Sequence, residues 1–410
     1  MRDTFTAEGN RPQSETFPDL LWAAEEELSR QFDWENGGFG TAPKFPPAHE
    51  LLFLLEYARR TEDGGALEMA EITLAKMAQG DIFDREGGGF FRYSACGDWQ
   101  SPYPEKALSD NALLACAYLE AYAQTGRPLF GETARRTLEY ALRRLRLPGG
   151  GFACTHAAGS LWRDEAVLTA WNAMMISALV KADRVLGEEK YLRAAQEAHQ
   201  FLKTRLTKPD GRLWLRWRDE EPDIDGQADD YAFYCLALIG LYEAEFAPEY
   251  LQEAVGLADR MAELDWDKAP SDGWAAALAL GRLARLTGLE RFRRLADGQL
   301  AWLAEGIRDC PAAHCSALLA ILEAACPGRE LVCVSADRVP QWLASAGENY
   351  RLAILAKTPE CSQALADLSP RTAGYPIPEA GQRYYFGACD AVETLAELRE
   401  MMRGRELVAQ

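Results

Sequence analysis

Two aspartates, Asp110 and Asp230, carry the clearest chemical potential in this sequence. A carboxylate pair flanking a glycosidic bond supplies an acid together with a nucleophile or base, at separations of about 5–5.5 Å for retention or 6.5–9.5 Å for inversion. Glu105 adds a third carboxyl just before Asp110. A different chemistry, epimerisation or isomerisation of a sugar, needs a base to remove a proton beside a carbonyl and an acid to return it on the other face. The chain has four histidines. His199 lies in a charged helical segment, which leaves His49, His314 and His156, the last directly behind a glycine-rich turn. None of them sits in a catalytic motif.

The residues around these groups suit a hydroxyl-rich ligand. Lys44, Phe45, Arg92, Tyr93, Trp99, Lys106, Asn111, Trp171, Asn172, Asp229 and Tyr231 all fall at or near the starts of apolar helical segments, with Asp164, Glu165, Thr169, Ser271 and Asp272 at comparable positions. Sugar rings stack on aromatic faces, and their hydroxyls need carboxylates and amides as partners. Structural roles compete with this one. Acids in a first helical turn complement the helix dipole, and Lys106 with Asp110 has the spacing of an intrahelical ion pair. Asn172, on one face of an apolar helix with Thr169, is either a pocket residue or a hydrogen-bonded core amide. No H-E-x-x-H, G-x-S-x-G, Walker or Rossmann pattern occurs, so neither a metal nor a nucleotide cofactor is expected.

The elements that must position these residues repeat. Glycine-rich turns recur at Gly37-Gly-Phe-Gly40, Gly87-Gly-Gly-Phe90, Gly149-Gly-Gly-Phe152, Asp210-Gly-Arg-Leu213 and Pro270-Ser-Asp-Gly273, in steps of about 50 to 62 residues, enough for two helices each. The intervening helices alternate. Charged amphipathic segments near 19–32, 65–79, 131–146, 188–206, 248–263 and 289–305 have a solvated face and belong outside. Nearly uncharged segments near 48–60, 105–124, 164–186, 226–245, 273–287 and 312–325 must be covered on every side and belong inside. Two concentric rings of six, an (α/α)6 toroid over 19–328, accommodate this alternation better than an open solenoid, whose inner helices would keep a wetter face. From residue 329 the period changes. Short β-branched or aliphatic runs at 330–335 and 351–356 and the aromatic run at 383–387 alternate with helical segments at 338–346, 359–366 and 390–403, predicting a small α/β appendage with a parallel sheet and a structural role. Residues 1–18 are expected to form a flexible tail.

Composition excludes other classes. With 63 Asp and Glu against 44 Lys and Arg among 410 residues, the net charge of −19 repels phosphate backbones and anionic lipid, so neither nucleic acid nor membrane is an expected partner. The ten cysteines form no C-x-x-C pair and no zinc-site spacing, and most lie in apolar runs as small buried hydrophobes. The N-terminus lacks the pattern of a secretory signal, and the longest uncharged helical run is too short to span a bilayer. A cytoplasmic protein is expected.

Five stretches give the chain a family likeness: Gly37-Gly-Phe-Gly-Thr-Ala-Pro-Lys-Phe-Pro46, Gly87-Gly-Gly-Phe-Phe-Arg-Tyr-Ser94, Glu105-Lys106 with Asp110-Asn111, Val167-Leu-Thr-Ala-Trp-Asn172, and Asp230-Tyr-Ala-Phe233 with Leu241-Tyr-Glu243. In this order and spacing the chain resembles the YyaL-type proteins, which are related to animal spermatogenesis-associated thioredoxin-like proteins. That family joins a thioredoxin-like domain to a toroid similar to N-acylglucosamine 2-epimerase and cellobiose 2-epimerase. The resemblance implies the toroid, a sugar ligand and, since the thioredoxin-like domain has no counterpart here, a separately encoded thioredoxin-like partner. The chain departs from the family pattern Pro-His-Phe-Glu-Lys-Met-Leu-Tyr-Asp, reading Pro102-Tyr-Pro-Glu-Lys-Ala-Leu-Ser-Asp110. Behind the third glycine turn the family's Asp-Ala-Asp is missing, and its Asp-Asp-Lys is Asp164-Glu-Ala166 here. Three functions remain open: an epimerase- or isomerase-like enzyme, a glycosidase-like enzyme using Asp110 and Asp230, and a sugar-binding or scaffold protein without catalysis.

Overall fold

The structure is a computed structural model describing residues 16–157, 163–264, 273–327, 329–337, 352–379, 382–386 and 390–392. Twelve helices alternate between two rings. The outer ones are α1 (Thr16–Gln31), α3 (Gly64–Gln79), α5 (Pro128–Tyr140), α7 (Lys190–Arg205), α9 (Pro248–Met261) and α11 (Glu290–Gly306). The inner ones are α2 (Ala48–Thr61), α4 (Leu108–Thr125), α6 (Thr169–Leu186), α8 (Ala228–Glu245), α10 (Trp274–Thr287) and α12 (Cys315–Ala325). Each inner helix packs on the next and α12 returns to α2, so the ring is closed. The apolar helices are buried because both the outer ring and their inner neighbours cover them; in α8 Ala232, Cys235, Leu238, Ile239 and Tyr242 are all inaccessible. This is the expected (α/α)6 toroid.

Two inner helices start later than the sequence suggests. Residues 105–107 form strand β1, which pairs with β2 (Thr155–Ala157), and β2 pairs with β3 (Arg163–Asp164). β4 (Val167–Leu168) leads into α6 and pairs with the hairpin β5 (Trp214–Arg218) and β6 (Glu221–Asp225). These sheets tie neighbouring glycine turns together at the amino-terminal end of the inner ring.

The glycine turns rest on the next outer helix. Gly88 and Gly150 have φ of +76° and +104°, and a Cβ would stand 2.5 Å from the Arg136 carbonyl oxygen of α5 and 2.7 Å from the Glu197 carbonyl oxygen of α7. Glycine is needed there both for its left-handed backbone and for this close approach.

The C-terminal unit has a sheet in the order β10 (Asp390–Val392), β9 (Gln382–Phe386), β7 (Arg329–Ser335), β8 (Leu352–Lys357). Only β7 and β8 run parallel; the other pairings are antiparallel, which corrects the expected parallel sheet to a mixed one. A helix occupies Ser362–Leu368, and β10 occupies the start of the segment expected as helix 390–403. The unit covers the ring where the inner helices end: β8 packs against α10, and the Tyr242 hydroxyl near the end of α8 accepts the Ala356 N–H at 3.2 Å. The expected helix 338–346 and most of the expected tail lie outside the described residues, although α1 already begins at Thr16.

Candidate functional site

The expected site residues gather at the amino-terminal ends of the inner helices, but many of them are engaged with backbone. Asn111, Asn172 and Tyr231 each occupy the fourth position of their helix, in α4, α6 and α8. Asn111 Oδ1 accepts the Phe90 N–H at 2.7 Å, while its Nδ2 donates to the carbonyls of Phe90 at 3.1 Å and Ala107 at 2.8 Å. Asn172 repeats this with Phe152 at 2.7 and 3.0 Å and with Leu168 at 3.0 Å. The Tyr231 hydroxyl accepts the Leu213 N–H at 2.9 Å. Each side chain pins the residue that closes a glycine turn to the following inner helix. Both amides, expected as ligand contacts, are wholly inaccessible with their hydrogen bonds made to backbone.

The two motif lysines act in the same way. Lys44 reaches Asp33 at 2.7 Å and Lys106 reaches Asp84 at 2.7 Å, each aspartate opening a glycine turn. Both lysines are buried. Lys106 also donates to the Gly88 carbonyl at 2.6 Å and lies 4.5 Å over the Tyr140 ring. Burial works to raise the two carboxyls, but the ammonium and backbone N–H donors outweigh it, holding Asp84 below its ordinary value and Asp33 at about 2. Trp99 is buried, and its indole N–H donates to the Asn36 carbonyl at 2.8 Å. Lys44, Lys106 and Trp99, expected as binding residues, are thus engaged within the glycine turns.

The four catalytic candidates have different surroundings. Asp230 is buried, and its two oxygens accept the N–H groups of Ala170 at 3.0 Å and Gln227 at 2.9 Å, so it caps α8 and clasps α6. Burial still pushes its carboxyl up to about 7. Asp110 keeps partial solvent contact, and burial raises its carboxyl against the pull of Arg92. The two aspartates stand on α4 and α8, with α6 between them. Glu105 is paired with Arg92 at 2.9 Å. His156 lies across from Lys106 in the β1–β2 ladder, with Nδ1 3.3 Å from the Tyr140 hydroxyl, so it faces α5 and the outer ring. Asp229 and Trp171 are half-buried in the first turns of α8 and α6.

Aromatic rings at this mouth remain available. Tyr93 stacks on Tyr103 at 5.0 Å and meets Phe45 at 5.2 Å. Phe45 is 54% and Tyr103 45% exposed. Tyr103 was not among the expected residues; it stands where the family pattern has histidine. Ser271 and Asp272 lie outside the described residues.

The cavity itself lies deeper, on the ring axis, and has a volume of about 350 Å³. All six inner helices line it. Leu52, Leu113, Met174, Phe233, Trp274 and Leu319 form an apolar belt, and Trp274 packs edge-on against Phe233 at 5.4 Å and His49 at 5.7 Å. Burial lowers the His49 pKa, favouring neutral imidazole. Toward the carboxyl ends of the helices the lining becomes charged, and Ala353 of β8 contributes to it. Glu56 holds Arg59 at 2.6 Å and Arg60; Glu120 holds Lys181 at 2.5 Å; Glu243 holds Arg184 at 3.5 Å; Glu323 holds Arg282 at 2.8 Å and Arg285. Burial raises Glu56 and Glu323, yet their paired arginines bring both down to about 2. Sequence reasoning missed this chamber. Its signal was a charged residue in the last turns of helices that are otherwise apolar.

Among the described residues no cluster of three or more His, Cys, Asp or Glu could hold a metal, and no helix is long and apolar enough to cross a membrane.

A closed double ring of alternating helices around an axial cavity defines the (α/α)6-toroid class. Solved structures agree on the fold. Cellobiose 2-epimerase from Bacillus thermoamylovorans superposes with a TM-score of 0.63 over 76% of this chain and 99% of that one, at 12% identity. A D-mannose isomerase gives 0.61 over 72% and 88%, at 15% identity. A family 76 mannosidase from Bacteroides thetaiotaomicron gives 0.56 over 76% and 97%, at 13% identity. By sequence the chain is homologous to spermatogenesis-associated protein 20, in line with the family resemblance of its motifs. It is 25% identical to the human protein over 383 aligned positions, covering 62% of this chain and 48% of the human one, and 26% identical to the rat protein over 379 positions with the same coverage. It thus spans about half the length of the curated relatives it matches. No family model matches the chain.

Proposed function

We propose that this protein binds a small carbohydrate in the axial cavity and does not transform it with the motif residues at the mouth. The observation that carries this reading is the cavity, a space of about 350 Å³ where the aromatic rings of Phe233 and Trp274 stand above hydrogen-bonding side chains. A concave space, an apolar wall and convergent polar groups are what a small-molecule site needs. The structural neighbours, among them a cellobiose 2-epimerase, a D-mannose isomerase and a mannosidase, favour a saccharide. Catalysis by Asp110 and Asp230 is disfavoured because Asp230 is committed to two backbone N–H groups, and catalysis by His156 because it faces the outer ring.

The test is calorimetric titration with glucose, mannose and cellobiose, followed by solvent-deuterium incorporation into any sugar that binds. Saturable binding without deuterium uptake is expected, with Trp274→Ala weakening it at least tenfold while the protein stays folded. Deuterium incorporation or glycoside cleavage would refute the non-catalytic part. Absence of saturable binding by all three sugars would refute the reading as a whole.

A further inference from the structure

Six large apolar side chains are exposed among the described residues, and two of them share a neighbour. Trp22 and Trp302 meet no other ring among the described residues, and Trp34 meets only the buried Phe32. Single exposed rings of this kind are ordinary on a protein surface. Phe45 and Tyr103 differ, because both pack on Tyr93: its ring lies 5.2 Å from Phe45 and 5.0 Å from Tyr103, inclined by 37° and 9°. The row stands on three backbone segments held side by side. Lys44 and Ser94 each donate an N–H to the other's carbonyl at 2.8 Å, and the Tyr103 N–H donates to the Tyr93 carbonyl at 2.9 Å. Mutual burial accounts for the contacts within the row, but not for the outer rings, which keep 54% and 45% of their surface open. Beside the row Arg92 pairs with Glu105 at 2.9 Å. Burial raises the Asp110 carboxyl while Arg92 and Glu105 act on it with opposite signs, so the three polar groups adjoin one another. Asp110 precedes Leu113 of the cavity wall by three residues, one turn nearer the mouth on an adjoining face of α4. Aromatic row, polar rim and cavity therefore follow one another without a break.

We infer that the Phe45–Tyr93–Tyr103 row is a second saccharide subsite, so that the ligand has at least two sugar rings, one in the axial cavity and a further one on the aromatic row. This rests on the sugar-binding reading above and specifies the length of its ligand. Sugar rings stack on aromatic faces, and the hydroxyls at their edges suit the Arg92 guanidinium and the Glu105 and Asp110 carboxylates. A row already fixed by backbone hydrogen bonds loses little freedom when a sugar lands on it. β8 stands at the opposite end of the ring, where Ala353 joins the cavity wall, so a ligand chain that leaves the cavity extends toward the mouth.

Two length series test this on the full chain by calorimetric titration: glucose, cellobiose and cellotriose, and mannose, mannobiose and mannotriose. In at least one series the longer sugars are expected to bind about tenfold tighter than the monosaccharide, the gain of one stacked ring. Tyr103→Ala should remove most of that gain, weakening the longer sugar about fivefold and leaving the monosaccharide within about twofold, while Tyr103→Phe retains it. An unchanged monosaccharide affinity is a readout that a loss of folding cannot mimic. Equal binding at all lengths in both series, or a Tyr103→Ala loss shared equally by the monosaccharide, overturns this inference and leaves the sugar-binding reading standing. Binding of the longer sugars that depends on Tyr103 but not on Trp274 takes the cavity out of the site and overturns both. If no member of either series binds, both fall.

Discussion

Replacing Asn111 with leucine separates a structural from a ligand-binding role for the motif amides. The side chain has nearly the same size, so packing volume is roughly kept, but three hydrogen bonds are lost, at 2.7, 3.1 and 2.8 Å. The buried N–H and C=O of Phe90 then have no partner in the second glycine turn. Leaving a buried polar group unsatisfied costs about 1–3 kcal/mol. Two such groups put the loss at roughly 2–6 kcal/mol, and about 3 kcal/mol is expected after partial relaxation. Asn172→Leu strands Phe152 by the same contacts and should lose a similar amount. Urea unfolding followed by far-ultraviolet circular dichroism reads both. A surface or ligand-facing residue changes stability by only about 0.5 kcal/mol. If both variants unfold within that margin of the parent and lose sugar binding instead, the fastener role is wrong.

Lys106→Met removes the ammonium from Asp84 and from the Gly88 carbonyl, and should cost about 2–4 kcal/mol, since breaking one half of a buried pair leaves the other uncompensated. Because Asp84 is held below its ordinary value in the parent, that contribution is present above about pH 4 and fades as pH falls through the folded value. The stability gap between parent and variant should therefore narrow on acidification; a gap of constant size would contradict the pairing. Asp230 has the opposite sign. Its folded value of about 7 lies above the unfolded one, so its contribution is complete below about pH 4 and is lost as pH rises through 7. Relative to Asp230→Asn the parent should lose up to roughly 4 kcal/mol between pH 4 and pH 8, from three units at about 1.4 kcal/mol each. Urea melts of both proteins across that range check it, and a pH-independent difference would count against the buried carboxylate.

The toroid was legible because each inner helix is apolar all round and each outer one is not, a contrast that only a second ring of cover can satisfy. The expected inner starts at 105 and 164 came too early because short strands precede α4 and α6. Alternating polar and apolar residues over two or three positions, as in Thr155–Ala157, carry too little periodicity to be read as strand. The location of Asn172 on an apolar face was also legible, including its two possible roles, but only the position of Phe152 decides between them. That position depends on a turn twenty residues upstream, which no local pattern encodes. The charged chamber was missed for a related reason. Glu56, Lys181, Arg282 and Glu323 look like ordinary helix-end charges until closure of the ring brings them around one axis.

The motifs that give this chain its family likeness can now be traced to a physical repeat. Asp33 with Lys44 and Asp84 with Lys106 are the same device in successive units, as are Asn111 with Phe90 and Asn172 with Phe152. Each holds a glycine turn at the junction of an outer helix, an inner helix and the next outer helix, where a displacement would be passed around the closed ring. Sequence constraint of this kind follows from topology and is independent of any reaction. A chain can therefore keep such motifs while changing its ligand, and the ligand class is better sought among residues that face the cavity without serving a turn. Phe233, Trp274 and Leu319 face the cavity, whereas Asn111, Asn172 and Lys106 serve the turns.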